Sequence, residues 1–109
     1  AREYAKMRRY YKADHDAIVR ALPKPNNKPD NRLVLNYPKK LVDTFTGFSV
    51  GKPVQITLPE DLGNESLSQF NVSRKMDSVI ARVWKESCIF GRAYFYVYSH
   101  DSEIYVTDV

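Results

Sequence analysis

Few side chains in this sequence are of the types, at the spacings, that carry out chemistry. His15 lies between Asp14 and Asp16, which crowds an imidazole with two carboxylates. A bound metal needs its donors to converge, and consecutive helical positions diverge by about 100°. The three are therefore read as solvated charge at a helix start. His100, beside Asp101, is read as part of a polar turn. Cys88 falls on an apolar helical stripe, where burial without a nearby cation keeps a thiol protonated and inert. The run Gly47-Phe48-Ser49-Val50-Gly51-Lys52-Pro53 invites a test as a phosphate loop. That loop needs four residues between its glycines and a Ser or Thr after the lysine. Here three intervene, and Pro53, which has no N–H to give a phosphate, follows Lys52. No HExxH, CxxC or GxSxG pattern occurs. No catalytic residue, metal site or cofactor is expected, and the chain is not expected to be an enzyme.

Binding chemistry has more to offer. Arg8, Arg9 and Lys12 interleave with Tyr10 and Tyr11, as cations and aromatics do in single-strand nucleic-acid binders. Arg8, Arg9 and Lys12 are thus the candidate DNA or phosphate contacts, with Lys39-Lys40 a second basic pair. No helix-turn-helix, zinc finger or RNP aromatic pair accompanies them. A free-standing basic nucleic-acid-binding module is the alternative reading that this cluster supports. The charge is also divided along the chain. Residues 1–52 hold twelve Lys or Arg against five Asp or Glu, and residues 53–109 hold five against eight. Opposite ends of opposite sign suit either nucleic-acid contact or head-to-tail packing between copies.

The chain of 109 residues allows one domain or a piece of a larger one. Its 43% hydrophobic and 28% charged residues are those of a globular protein, which excludes a disordered tail. No apolar run approaches the ~20 residues of a membrane helix, so no membrane span is expected. A single cysteine cannot close an intrachain disulfide and suits a reducing compartment. The chain begins without methionine and stops within an expected strand, as a fragment of a longer protein would.

The elements follow from periodicity. Tyr4, Met7 and Tyr11 mark one stripe of a helix from Arg2 to about Lys12. A second helical turn holds Ala17, Ile18, Ala21 and Leu22, with Asp14 or Asp16 as its cap. Pro23 to Asn31, with three prolines and three asparagines, is a linker. The expected organisation is a helical arm at 1–22, a linker at 23–31 and an α+β body at 32–109. In the body, Asn36 caps a helix with Pro38 in its first turn, and Leu41, Val42 and Phe45 share a face. Gly47 is expected to close that helix with a positive φ. Val54 to Leu58 reads as a short strand or extended arm, and Pro59 to Asn71 as an irregular surface loop. Ser73 is expected to cap a helix whose stripe is Met76, Val79, Ile80, Val83 and Trp84, closed by Gly91. Residues 92–98 and 104–109 then alternate as the two strands of a hairpin, giving helices packed on a small antiparallel sheet.

Three blocks of this sequence, in order, resemble one protein family. Tyr10-Tyr11-Lys12-Ala13-Asp14-His15-Asp16-Ala17-Ile18 resembles a YY-x-G-x-H-x-I segment. Asn31-Arg32-Leu33-Val34-Leu35-Asn36, followed by Leu41-Val42-Asp43-Thr44-Phe45-Thr46-Gly47-Phe48-Ser49-Val50-Gly51-Lys52-Pro53-Val54, resembles N-R-L-V-x-N and I-V-D-T-x-x-G-Y-x-x-G-K-P-V. Ile89-Phe90-Gly91-Arg92-Ala93-Tyr94 resembles an I-x-G-x-A-Y helix-to-strand step. These are the motifs of Gp6-like portal proteins of siphophages of Gram-positive bacteria, and the likeness runs through nearly the whole chain. Asn36, Asp43, Gly47, Gly51, Pro53, Gly91, Ala93 and Tyr94 are the structural motif positions it marks. Ala13 stands where the family has glycine, so a softer bend is expected there.

The resemblance implies the amino-terminal part of a portal, chiefly its wing. It implies a dodecameric homo-oligomeric ring at a capsid vertex, through whose channel double-stranded DNA is packaged and ejected. Its implied partners are terminase, scaffold, capsid and head-completion proteins, and its implied location is the procapsid and virion, assembled in the bacterial host cytoplasm. Catalysis would belong to the terminase. Tyr4, Met7, Tyr10 and Tyr11 are the candidate subunit-interface residues, since the amino-terminal helix is expected to reach a neighbouring copy.

Overall fold

A computed structural model describes residues 1–24 and 28–109. Residues 25–27 of the expected linker lie outside the described residues. Helix α1 spans Arg2–Tyr11, a single turn α2 spans Asp16–Val19, and α3 spans Tyr37–Val50. A 3₁₀ turn at Pro59–Asp61 leads to α4, Asn64–Ser73, and α5, Met76–Phe90. Strands β1, Phe95–His100, and β2, Glu103–Asp108, form an antiparallel pair. The architecture is the expected α+β arrangement ending in a hairpin.

α1 ends as its sequence dictates. The Asp14 N–H donates to the Arg9 carbonyl at 2.9 Å and the Ala13 N–H to the Tyr10 carbonyl at 3.2 Å. This is the Schellman pattern, which demands a left-handed residue at Ala13, and Ala13 has φ 65°. The bend is therefore as sharp as a glycine would make it, and alanine bears the steric cost. The expected caps of α2 are absent: neither Asp14 nor Asp16 caps it, because both carboxylates accept from Arg9 instead.

α3 begins as expected, with the Asn36 Oδ1 accepting from the Lys39 N–H at 3.2 Å. It does not stop at Gly47. The helix carries on to Val50, and Gly47 sits in its interior with nothing within 4 Å of where a Cβ would lie. Gly51 closes α3 in a right-handed conformation; a Cβ there would meet the Gly47 carbonyl oxygen, at 2.2 Å. The expected shared face of Leu41, Val42 and Phe45 also divides. Leu41 is 70% and Phe45 61% exposed, while Val42, Asp43 and Thr46 turn towards the interior.

Residues 53–58 run without bend or turn but join no sheet, so the expected short strand is an unpaired segment. The expected loop from Pro59 to Asn71 instead contains most of α4. Its inward residues Asn64, Leu67, Phe70 and Asn71 keep helical spacing within a polar stretch. Ser73 belongs to α4 and donates to the Phe70 carbonyl, so it is not the cap of α5. The chain reverses through Lys75, at φ 51°, and α5 starts at Met76. Gly91 closes α5 with φ 76°, as expected. The hairpin turn is Asp101-Ser102, both at positive φ, and places His100 in β1 rather than in the turn. The register pairs Val97 with Val106 and Tyr98 with Tyr105. One face of the hairpin thus carries Phe95, Val97, Ile104 and Val106, and the other stacks Tyr96, Tyr98 and Tyr105.

α5 is the axis of the packing. α3, α1, α4 and β2 all lie against it. The helix expected as a separate arm, α1, instead packs on α5 and α3. Among the described residues, Val79 on α5 is the one apolar side chain that is buried, at 4% exposure. The molecule is long, 73 × 28 × 18 Å, with a radius of gyration of 20.6 Å. A compact chain of this length has about 13 Å. Its accessible surface, 9109 Å², exceeds the about 6,200 Å² of a folded monomer of 12.7 kDa.

The backbone predicts two stabilising substitutions. Ala13→Gly relieves a left-handed alanine and Gly47→Ala removes glycine from an uncrowded helix interior; each is expected to add about 1 kcal/mol. Gly91→Ala is expected to destabilise by a similar amount. Urea denaturation followed by circular dichroism checks all three, and a neutral or destabilising Gly47→Ala would show that α3 ends at Gly47 after all.

Candidate assembly surfaces

The motif residues meet at the end of α1. The Tyr11 hydroxyl donates to Asp43 Oδ1 at 2.8 Å, and Asn36 Nδ2 donates to the Tyr11 carbonyl at 3.0 Å. Asn36 thereby caps α3 with its oxygen and holds α1 with its nitrogen. Lys39 Nζ reaches Asp43 Oδ2 at 2.5 Å, and Lys85 Nζ lies 3.8 Å from Asp43 Oδ1. Both ammonium groups also sit over the Tyr11 ring, at 5.7 and 5.1 Å from its centre. Lys39, and then the Tyr11 hydroxyl, hold the Asp43 carboxyl below its ordinary value. Asp43 in turn holds Lys39 above its own, and Tyr11 does the same for Lys85. This clasp joins α1, α3 and α5, and it is built for position rather than proton transfer.

The basic cluster on α1 divides. Arg9 donates to Asp14 at 2.7 Å and also to Asp16, and these carboxylates raise its already high value. Its charge is spent within the chain. Arg8 lies over the Phe90 ring, 5.3 Å from its centre, and Lys12 makes no ion pair among the described residues. Arg8 and Lys12 line a groove of about 400 Å³ with Tyr11, Arg82, Lys85 and Phe90. Tyr4 meets Phe90 edge-on at 5.9 Å, while Met7 stays exposed. Tyr10 is half-buried against His15.

His15 is not the solvated group expected from its neighbours. It is 5% exposed, and its Nε2 lies 3.1 Å from the Tyr10 carbonyl. No group of His, Cys, Asp and Glu among the described residues is arranged to hold a metal. Cys88 is a half-buried free thiol.

The remaining motif positions shape joints. Gly51 and Pro53 line a groove of about 230 Å³ with Ser78 and Ile80 of α5. Gly91 turns the chain into Ala93 and Tyr94, which line an apolar groove of about 570 Å³ with Tyr4, Phe90 and Arg92. The hairpin is held by two arginines to which no sequence motif pointed. Arg74 Nε donates to the Ile104 carbonyl at 3.0 Å, its Nη2 to Glu103 at 2.7 Å, and its guanidinium lies 4.0 Å from the Tyr105 ring centre. Arg82 donates to Asp108 at 2.9 Å. Glu103 and Asp108 are held below their ordinary values by Arg74 and Arg82 respectively. Glu103 and Asp108 lie at the two ends of β2 and on opposite faces of the hairpin, so strand alternation does not signal this pair of contacts.

The molecule is a long α+β chain with wide uncovered apolar surface. A family model of phage portal proteins, SPP1 Gp6-like, matches residues 1–107, and the chain belongs to that family. Neither a curated protein nor a solved structure matches it significantly. It is a structural protein of the phage portal, and no helix among its described residues is long and apolar enough to cross a membrane.

The clasp predicts how stability depends on pH. Asp43 has its folded value lowered, so its contribution is complete above the unfolded carboxylate value of about 3.9 and is lost as pH falls through the folded value. Asp14, Glu103 and Asp108 act in the same direction. Tyr11→Phe is expected to cost about 1 kcal/mol at pH 7 by removing one hydrogen bond. Asp43→Asn is expected to be less stable than the parent at pH 7, with the gap narrowing below pH 4. Urea titrations at pH 7, 4 and 3 test this; a gap constant with pH would show that Asp43 is not held by charge.

Proposed function

We propose that the chain is a wing segment of a portal subunit that closes into a dodecameric ring at the capsid vertex, with double-stranded DNA passing through the central channel during packaging and ejection. The portal does no chemistry in this reading. The large terminase docks on the ring and hydrolyses ATP, and scaffold, capsid and head-completion proteins bind its outer surfaces. The work takes place in the procapsid, within the host cytoplasm, and ends in the virion.

One observation carries the reading beyond family membership. The molecule exposes about 2,900 Å² more than a compact monomer of its mass, and obligate interfaces bury ~2,000–5,000 Å². A heterologous ring needs two unlike patches per copy. The basic α1 flank and the acidic later half supply unlike electrostatic character. Tyr4, set against Phe90, and Met7 each keep more than a third of their surface exposed and are the interface candidates that the clasp leaves available. Arg9 argues against the alternative of a free-standing nucleic-acid module, because Asp14 and Asp16 already neutralise it.

Size-exclusion chromatography with light scattering, together with electron microscopy of the intact protein, tests the reading. A closed ring of about a dozen copies is expected from the family, with assembly impaired in Tyr4→Ser/Met7→Ser. A lone molecule at high concentration overturns the reading.

A further inference from the structure

The two strands of the hairpin have unequal edges. A two-residue turn makes His100 and Glu103 a hydrogen-bonded pair, and such pairs alternate along an antiparallel ladder. The bond from the Val109 N–H to the Tyr94 carbonyl keeps that alternation. Tyr96, Tyr98 and His100 therefore direct their backbone groups at β2. Phe95, Val97 and Ser99 direct theirs outward. On the other strand, the outward Ile104 carbonyl already accepts from Arg74. The outer edge of β1 has no backbone partner among the described residues. Nor does β1 carry the lysine, proline or bulge with which exposed edges are usually blunted. Phe95 is 50% and Val97 62% exposed on the same face.

The complementary feature is the unpaired segment between Pro53 and Pro59. Val54, Ile56 and Leu58 alternate with Gln55 and Thr57, and all five are exposed. The backbone groups of residues 54–57 have no backbone partner among the described residues. Leu58 is extended, and its N–H and carbonyl are both engaged by the Asn64 side chain, as a neighbouring strand would engage them.

We infer that residues 54–57 of one copy add as an antiparallel strand to the outer edge of β1 in the next copy. This rests on the ring reading above. Setting Ile56 opposite Val97 brings Leu58 opposite Phe95 and Val54 opposite Ser99, so one apolar face continues from Ile104 and Val106 across Phe95 and Val97 to Ile56. Lys52, in the bend before the segment, then falls at the Asp101 end of β1, and the acidic turn Glu60-Asp61 falls at its Arg92 end. A parallel arrangement would set Lys52 beside Arg92 and Glu60-Asp61 beside Asp101, like against like, so the charges select the antiparallel direction. Asn64 ends the ladder at Leu58. A two-stranded sheet is marginal alone, and a third strand supplied in trans completes it. Donor and acceptor are different surfaces, so each copy gives one strand and receives one, as a head-to-tail ring requires.

The register makes Thr57 and Tyr96 a non-hydrogen-bonded pair, with Cα atoms about 4.5 Å apart, within disulfide reach. The test is Thr57→Cys/Tyr96→Cys in the intact protein carrying Cys88→Ala. Mild oxidation is expected to give a covalent ladder of multimers on a non-reducing gel, absent from either single variant. A second pair of variants reads the backbone. Ile56→Pro deletes an N–H aimed at β1 and is expected to reduce the ring fraction at least tenfold. Gln55→Pro deletes one aimed away and is expected to leave it unchanged. Rings that form without intersubunit links, a link confined to one chain, or equal assembly of both proline variants overturns the strand exchange and leaves the ring reading standing. An unmodified protein that never forms rings removes both.

Discussion

Tyr11 joins three parts of the chain that share little buried surface. Its carbonyl is taken by Asn36, its hydroxyl by Asp43, and its ring is covered by Lys39 and Lys85. With Val79 the one buried apolar side chain among the described residues, packing alone does not fix the angle between α1, α3 and α5. Polar clasps at element ends do that work. Arg74 and Arg82 repeat the arrangement at the hairpin, and Arg9 repeats it on a smaller scale between α1 and α2. The core is thin and the joints are specific. That suits a part whose remaining surface is reserved for contacts made elsewhere.

Backbone conformation tells the same story at Ala13. The family motif places glycine there, and the Schellman closure of α1 explains why, since the closing residue must be left-handed. This chain keeps the geometry without the residue. The clasp at Tyr11, two residues earlier, holds the end of α1 in place and so over-determines the turn. Gly91 shows the ordinary solution to the same problem, and Lys75, at φ 51° between α4 and α5, shows a third case in which neighbouring helices impose the turn.

What was legible in the sequence followed local rules. The Asn36 cap, the Gly91 stop, the α5 stripe and the alternation of the hairpin each depend on residues within one element, and each appeared where periodicity placed it, except that Trp84 of the stripe is 39% exposed. The misreadings arose where tertiary context decides. Gly47 looked like a stop because glycine often is one, but nothing near it required a turn, so α3 continued. The stretch 59–71 looked irregular because only Leu67 and Phe70 mark the inward face of α4. His15 looked solvated because its neighbours are acidic, yet Arg9 draws both carboxylates aside and leaves the ring packed on Tyr10. At the clasp, Tyr11, Asn36 and Asp43 were each visible as motif positions, but nothing in their spacing showed that they touch. Arg74 and Arg82 lay outside every motif.

The thin interior has a calorimetric consequence. The heat capacity of unfolding and the denaturant m-value both scale with apolar area newly exposed to water. A chain that hides so little of that area must unfold with a shallow transition, well short of the ~1.2–1.5 kcal/mol/K usual per 100 residues. The missing heat capacity belongs to whatever covers Phe48, Leu41 and the Phe95–Val97 face. Association, more than folding, then carries the hydrophobic signature, and the melting temperature becomes a property of concentration as well as of sequence.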